Sequence, residues 1–119
     1  MSAAADNSGL SAAPSLPIIT ATDAVPELGA LTCRLSAPAA GRGLYVSRIT
    51  VQHDGATSPR AYVYVGEPER RNLVSGTNSG RFDECEYLRP LYVPAGQDLC
   101  VVWQTTDGQA LARVEYQEA

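Results

Sequence analysis

The chain has 119 residues, 45% of them hydrophobic and 18% charged, with a net charge of −4. That is the size of one domain around one core, and it is too apolar for a disordered chain. The acidic balance argues against nucleic acid as a principal partner, because neutralising phosphates needs a clustered positive surface.

Met1 to Leu16 is dominated by Ala, Ser, Asn and Gly, a composition that cannot bury enough surface to order itself. Residues 1–28 are therefore read as an extended N-terminal arm and residues 29–119 as the folded domain. Within the arm, Leu10, Leu16, Ile18 and Ile19 are the apolar anchors a partner could grip, and Pro14, Pro17 and Pro26 limit its flexibility. Pro17 to Ala21 reads as a short strand, at an edge because of the Pro, and Ala30 to Leu35 as another. Leu44 to Gln52 is the first strong strand, with Tyr45, Ile49 and Val51 alternating against Val46, Arg48 and Thr50. His53-Asp54-Gly55-Ala56 makes a turn, which leaves His53 facing solvent.

Arg60 to Val65 is the second strong strand. Ala61, Val63 and Val65 share one face; Tyr62 and Tyr64 share the other, with Tyr45 and Arg48 near them if the two strands pair. Asn72 to Val74 is a short piece before a polar loop at 75–81. Glu86 to Val93 resumes as a strand interrupted by Pro90, and Pro94-Ala95-Gly96 is a tight turn with Pro setting φ. Gln97 to Gln104 carries Leu99, Val101 and Trp103 on one face. Thr105 to Gly108 reads as a hairpin loop ending in Asp-Gly, and Leu111 to Tyr116 returns with Ala112, Val114 and Tyr116 on one face and Leu111, Arg113 and Glu115 on the other. Seven or eight short strands at roughly 8–14-residue spacing, with no helical periodicity, predict an all-β, antiparallel β-sandwich of jelly-roll-like form.

No constellation for catalysis emerges. A nucleophile needs an adjacent base, and His53 is the single His, with no Gly-x-Ser-x-Gly elbow. Asp83, Glu84 and Glu86 read as a solvated loop balanced by Arg81 and Arg89, in a spacing that fits no calcium loop. Cys33, Cys85 and Cys100 match no zinc pattern and are expected to be reduced, buried thiols. Gly76 to Gly80 lacks the Lys and the following helix of a phosphate loop. No cofactor is expected, nor a secretory signal or membrane span. Tyr62 and Tyr64 carry apolar area onto the outer side of a strand, which suits contact with another protein or stacking on sugars.

The segments Ala61-Tyr62-Val63-Tyr64-Val65-Gly66, Pro90-Leu91-Tyr92-Val93-Pro94-Ala95-Gly96-Gln97-Asp98-Leu99 and Val101-Val102-Trp103 resemble the small β-sandwich virion proteins of tailed phages. An Ala-rich chain whose nine basic residues are all Arg accords with a GC-rich genome. The resemblance implies a head decoration or cement protein that docks on the major capsid protein or another virion subunit. It also implies homo-oligomers, trimers being common, and a place in the virion after assembly in the host cytoplasm; no enzyme activity comes with it. A minor tail or collar component, or a carbohydrate- or receptor-binding module using Tyr62, Tyr64 and the 75–81 loop, is the alternative.

Overall fold

The computed structural model describes residues 18–21, 25–27, 30–37, 42–55, 59–105 and 108–118. Its strands are β1 (Ile18–Ala21), β2 (Val25–Glu27), β3 (Ala30–Ser36), β4 (Leu44–His53), β5 (Ala61–Val65), β6 (Leu73–Gly76), β7 (Phe82–Val93), β8 (Asp98–Trp103) and β9 (Ala110–Glu118). They form a four-stranded sheet, β1-β9-β4-β7, and a five-stranded sheet, β2-β3-β8-β5-β6. All neighbouring pairs are antiparallel.

The pairing is nested. β1 lies beside β9, β3 beside β8, β4 beside β7 and β5 beside β6. One long antiparallel ribbon is thus rolled up until β9 meets β4 and β8 meets β5. This is the strand order of a jelly roll, with β2 added at one edge. Two strands read as parts of the arm, β1 and β2, are edge strands of the two sheets, and Pro26 sits in β2, where an edge tolerates it.

The core lies between the sheets. Leu44, Val46, Ile49 and Val51 of β4 and Ala112, Val114 and Tyr116 of β9 face Leu31 and Cys33 of β3, Ala61 and Val63 of β5, and Leu99, Val101 and Trp103 of β8. The Cys33 thiol donates across the gap to the Ala110 carbonyl at 3.8 Å. All three cysteines are buried thiols that form no disulfide.

Simple alternation predicts the wrong inner face for half of β4. On one side β9 pairs Glu115 with Arg48 and Tyr116 with Val46, so Ser47 has no partner there. On the other side β7 pairs Leu91 with Val46 and Glu86 with Arg48. Ser47 is a bulge in both ladders, and one extra residue exchanges the two faces of everything beyond it. Leu44 and Val46 point inward before it; Ile49, Val51 and His53 point inward after it.

Two connections also differ from expectation. Trp103 and Ala110 belong to different sheets, so the Thr105–Gly108 segment is a crossover and not a hairpin, because a two-residue turn cannot span the ~10 Å between sheets. In the 94–97 turn the Gln97 N–H donates to the Pro94 carbonyl at 3.0 Å, and the residue that makes the turn possible is Gly96, at φ 82°. Pro94 occupies the first position, so glycine's access to positive φ is what the turn needs.

Candidate functional site

The outer face of the five-stranded sheet carries the two tyrosines. Tyr62 and Tyr64 alternate with buried Ala61 and Val63 and are themselves half-buried. Their cross-strand partners on β8 are Val102 and Cys100, and those in turn face Thr32 and Arg34 on β3. Val102 and Cys100 are buried although they point away from the core, so this face has a covered layer of its own, held by ordinary cross-strand packing.

On β6, Leu73 pairs with Tyr64 and Gly76 with Tyr62. A Cβ on Gly76 would fall 3.1 Å from the Tyr62 ring, so that ring lies over bare backbone. Leu73 stays 45% exposed and extends the apolar strip to the sheet edge. At the other margin the Arg34 guanidinium meets Asp98 at 3.1 Å and Glu67 at 3.4 Å. Burial works against its charge, but the Cys100 sulfur, Glu67 and Asp98 together outweigh that and hold it above its ordinary pKa.

Tyr45 and Arg48 do not join this face. β4 belongs to the opposite sheet, so their grouping with Tyr62 and Tyr64 does not occur. Arg48 instead sits among Glu86, Glu115 and Glu84 at 3.2, 3.5 and 3.8 Å on the outside of the four-stranded sheet. The Glu86 hydrogen bond, with Glu115 and Glu84 behind it, raises its pKa.

The acidic run 83–86 is therefore strand and not loop. Asp83 turns the other way and accepts from the backbone N–H groups of Glu84 (2.8 Å), Asn78 (2.9 Å) and Ser79 (3.2 Å). Those bonds hold its carboxyl below the usual range and tie the 77–81 loop to β7. Among the described residues no group of three or more potential ligands gathers to hold a metal.

β7 is the longest edge strand, and it carries the sharpest irregularity. Between Glu86 and Leu91 its four residues oppose Ser47 alone, so Tyr87 to Pro90 form an extended bulge. Pro90, which reads as a strand breaker, sits where no ladder bond is required of it. Tyr87 turns inward, its hydroxyl 2.8 Å from Ser75 Oγ on β6, and burial pushes its phenol up to about 12. Leu88 points straight out and is 103% exposed. The Ser75–Tyr87 contact brings β6 and the bulge together, so Leu88, Leu73 and half-exposed Val74 lie along one side of the sandwich.

His53 is not at the surface. The Ser47 bulge turns it inward, leaving it 5% exposed, and its Nδ1 accepts the Gly55 N–H at 3.3 Å. It borders a cavity of about 560 Å³ at this end of the sandwich, lined also by Gln52, Asp54, Arg81, Phe82 and Gln109. Phe82 received no role from the sequence, and Arg81 reads there as a countercharge to the acidic run and the end of the 75–81 loop. The available signal was the sole Phe of the chain standing in an otherwise polar run, Arg81-Phe82-Asp83-Glu84.

Of the residues expected to meet a partner, Tyr62 and Tyr64 come together as described. Ile18 and Ile19 lie in β1, at the edge beside Glu115 and Val114. Leu10 and Leu16 fall outside the described residues. No protein-family model matches the chain, and no curated protein matches it at a significant level.

Proposed function

We propose that this protein is a non-enzymatic structural subunit of a phage particle, a decoration or cement protein that docks on the major capsid protein. One observation carries the docking part of this reading: a wholly exposed Leu88 at the tip of the β7 bulge. An exposed apolar side chain on a projecting edge strand costs a free monomer solubility and invites pairing, so its retention accords with a covered state. The Tyr64–Leu73 strip on the five-stranded sheet offers a second apolar surface. The virion setting rests on the resemblance of the 61–66, 90–99 and 101–103 segments.

The test is incorporation into density-purified particles, read by immunoblot, for the intact chain and for Leu88→Asp. The variant is expected to keep the far-UV circular dichroism spectrum and thermal midpoint of the intact chain while losing most of its particle association. Equal incorporation of Leu88→Asp, or absence of the intact chain from particles, overturns the proposal. Deleting residues 1–17 addresses the arm separately, because deletion to residue 28 also removes β1 and β2 from both sheet edges.

A further inference from the structure

We infer that the cavity at the His53 end is a binding site for a neutral saccharide, a role beyond assembly and on a different part of the surface. The site starts from one row across the outer face of the four-stranded sheet. Gln52 on β4 has Phe82 of β7 on one side and Leu111 of β9 on the other. Neighbouring strands are ~4.8 Å apart, so this row makes a platform about two strand spacings wide. Phe82 is 68% exposed, a large apolar ring for which the sandwich offers no cover of its own.

The polar groups around that platform are fixed by the fold. Asp54 and Gln109 clasp each other: the Gln109 N–H donates to Asp54 Oδ1 at 2.7 Å, and the Asp54 N–H donates to the Gln109 carbonyl at 3.2 Å. Arg81 is drawn across the turn by Nη1 donating to the Gly55 carbonyl at 2.8 Å. Its backbone carbonyl accepts the His53 N–H at 3.0 Å. Gly108, at φ +73°, lets the second loop close on this turn, since a Cβ there would stand 2.6 Å from Gly55. Preorganised groups of this kind lose little entropy on binding.

The chemistry of the lining selects the ligand class. The volume falls within the ~300–1,000 Å³ of small-molecule sites. Asp54 supplies an acceptor, Arg81 supplies donors, and the side-chain amide of Gln52 supplies both. A pyranose matches that set: one face of C–H groups for the Phe82 ring, and a rim of hydroxyls that each donate and accept. Asp54 opposes a simple anion and Arg81 opposes a simple cation, so an uncharged polyol fits better than either.

The experiment is a ¹H–¹⁵N titration of the full chain with the methyl glycosides of glucose, galactose, mannose and N-acetylglucosamine, together with lactose, maltose, cellobiose and chitobiose, and with inorganic phosphate as the anionic probe. The expected result is saturable shifts centred on Gly55, Arg81 and Gln109 with at least one sugar. Phe82→Ala should weaken that binding by about tenfold or more with an unchanged thermal midpoint, while Tyr62→Ala on the opposite sheet leaves it intact. Silence with every sugar overturns the inference. So do shifts centred on Tyr62 and Tyr64, or saturable binding of phosphate alone.

Discussion

Trp103→Phe is the substitution whose cost the structure defines best. The indole is fully buried, and its Nε1–H donates to the Gly80 carbonyl at 2.8 Å. Phe leaves that buried carbonyl without its donor, at about 1–3 kcal/mol, and the smaller ring opens a void worth ~1 kcal/mol. The expected loss of about 2–4 kcal/mol is a large share of the 5–15 kcal/mol typical of a domain. At a urea m-value of ~1.5 kcal/mol/M, the unfolding midpoint should fall by roughly 1.3–2.7 M with the slope unchanged. Far-UV circular dichroism is the probe, because Trp103 is the sole tryptophan. Gly80→Ala attacks the same contact from the other side, since its Cβ would collide with the Pro59 carbonyl and stand 2.9 Å from Trp103 Cδ1. The double variant should therefore lose ~1 kcal/mol less than the sum of the single ones. A midpoint shift below about 0.5 M for Trp103→Phe, or strict additivity in the pair, would refute the reasoning.

The Tyr87 phenol ionises near 12 when folded and near 10 when unfolded. The folded state thus holds the extra proton, its stabilising contribution is complete below about pH 10, and stability falls as the pH rises towards 12. With solvent reaching part of the ring, the loss is up to about 2 kcal/mol. Urea midpoints compared from pH 9 to 11 should therefore drop more steeply for the intact chain than for Tyr87→Phe; parallel slopes contradict the assignment. Deleting Ser47 should leave the chain folded, because Val46 then runs straight into Arg48 and plain alternation keeps Leu44, Val46, Ile49 and Val51 inward with Arg48, Thr50 and Gln52 outward. Ser47→Ala, which removes only the 3.2 Å hydrogen bond to the Glu115 carbonyl, should fold. Loss of the native spectrum in the deletion, with Ser47→Ala still folded, rules out Ser47 as the extra residue.

The strands were readable because β-branched and aromatic residues alternate over 61–65, 98–103 and 110–116, and the inward sets Leu99/Val101/Trp103 and Ala112/Val114/Tyr116 follow directly. What escaped was whatever depends on a neighbour. Ser47 looks like any polar strand residue; only the two flanking ladders show that it is skipped. The same slip hid the burial of His53 and the outward set of Arg48, Thr50 and Gln52. Asp83 to Glu86 read as a loop because their charge suggested solvent, whereas a carboxylate on the outer face of an edge strand meets that demand equally well. Nor does local pattern reveal that β4 and β5 part company at Gly55, each entering a different sheet. That parting separates Arg48 from Tyr62 and places Phe82 within reach of Gln109.

The nested pairing also constrains the time course of folding. β5 and β6 are joined by the shortest of the nested links, whereas Ile18 finds its partner in Glu115, across nearly the whole described length. Loop-closure entropy grows with separation, and distant contacts slow folding. The cheapest order of assembly is therefore centrifugal: β5 with β6, then β4 with β7, β3 with β8, and last β1 with β9. The outermost pair cannot zip until β9 has been synthesised, so until then β4 presents an open edge where β9 will lie.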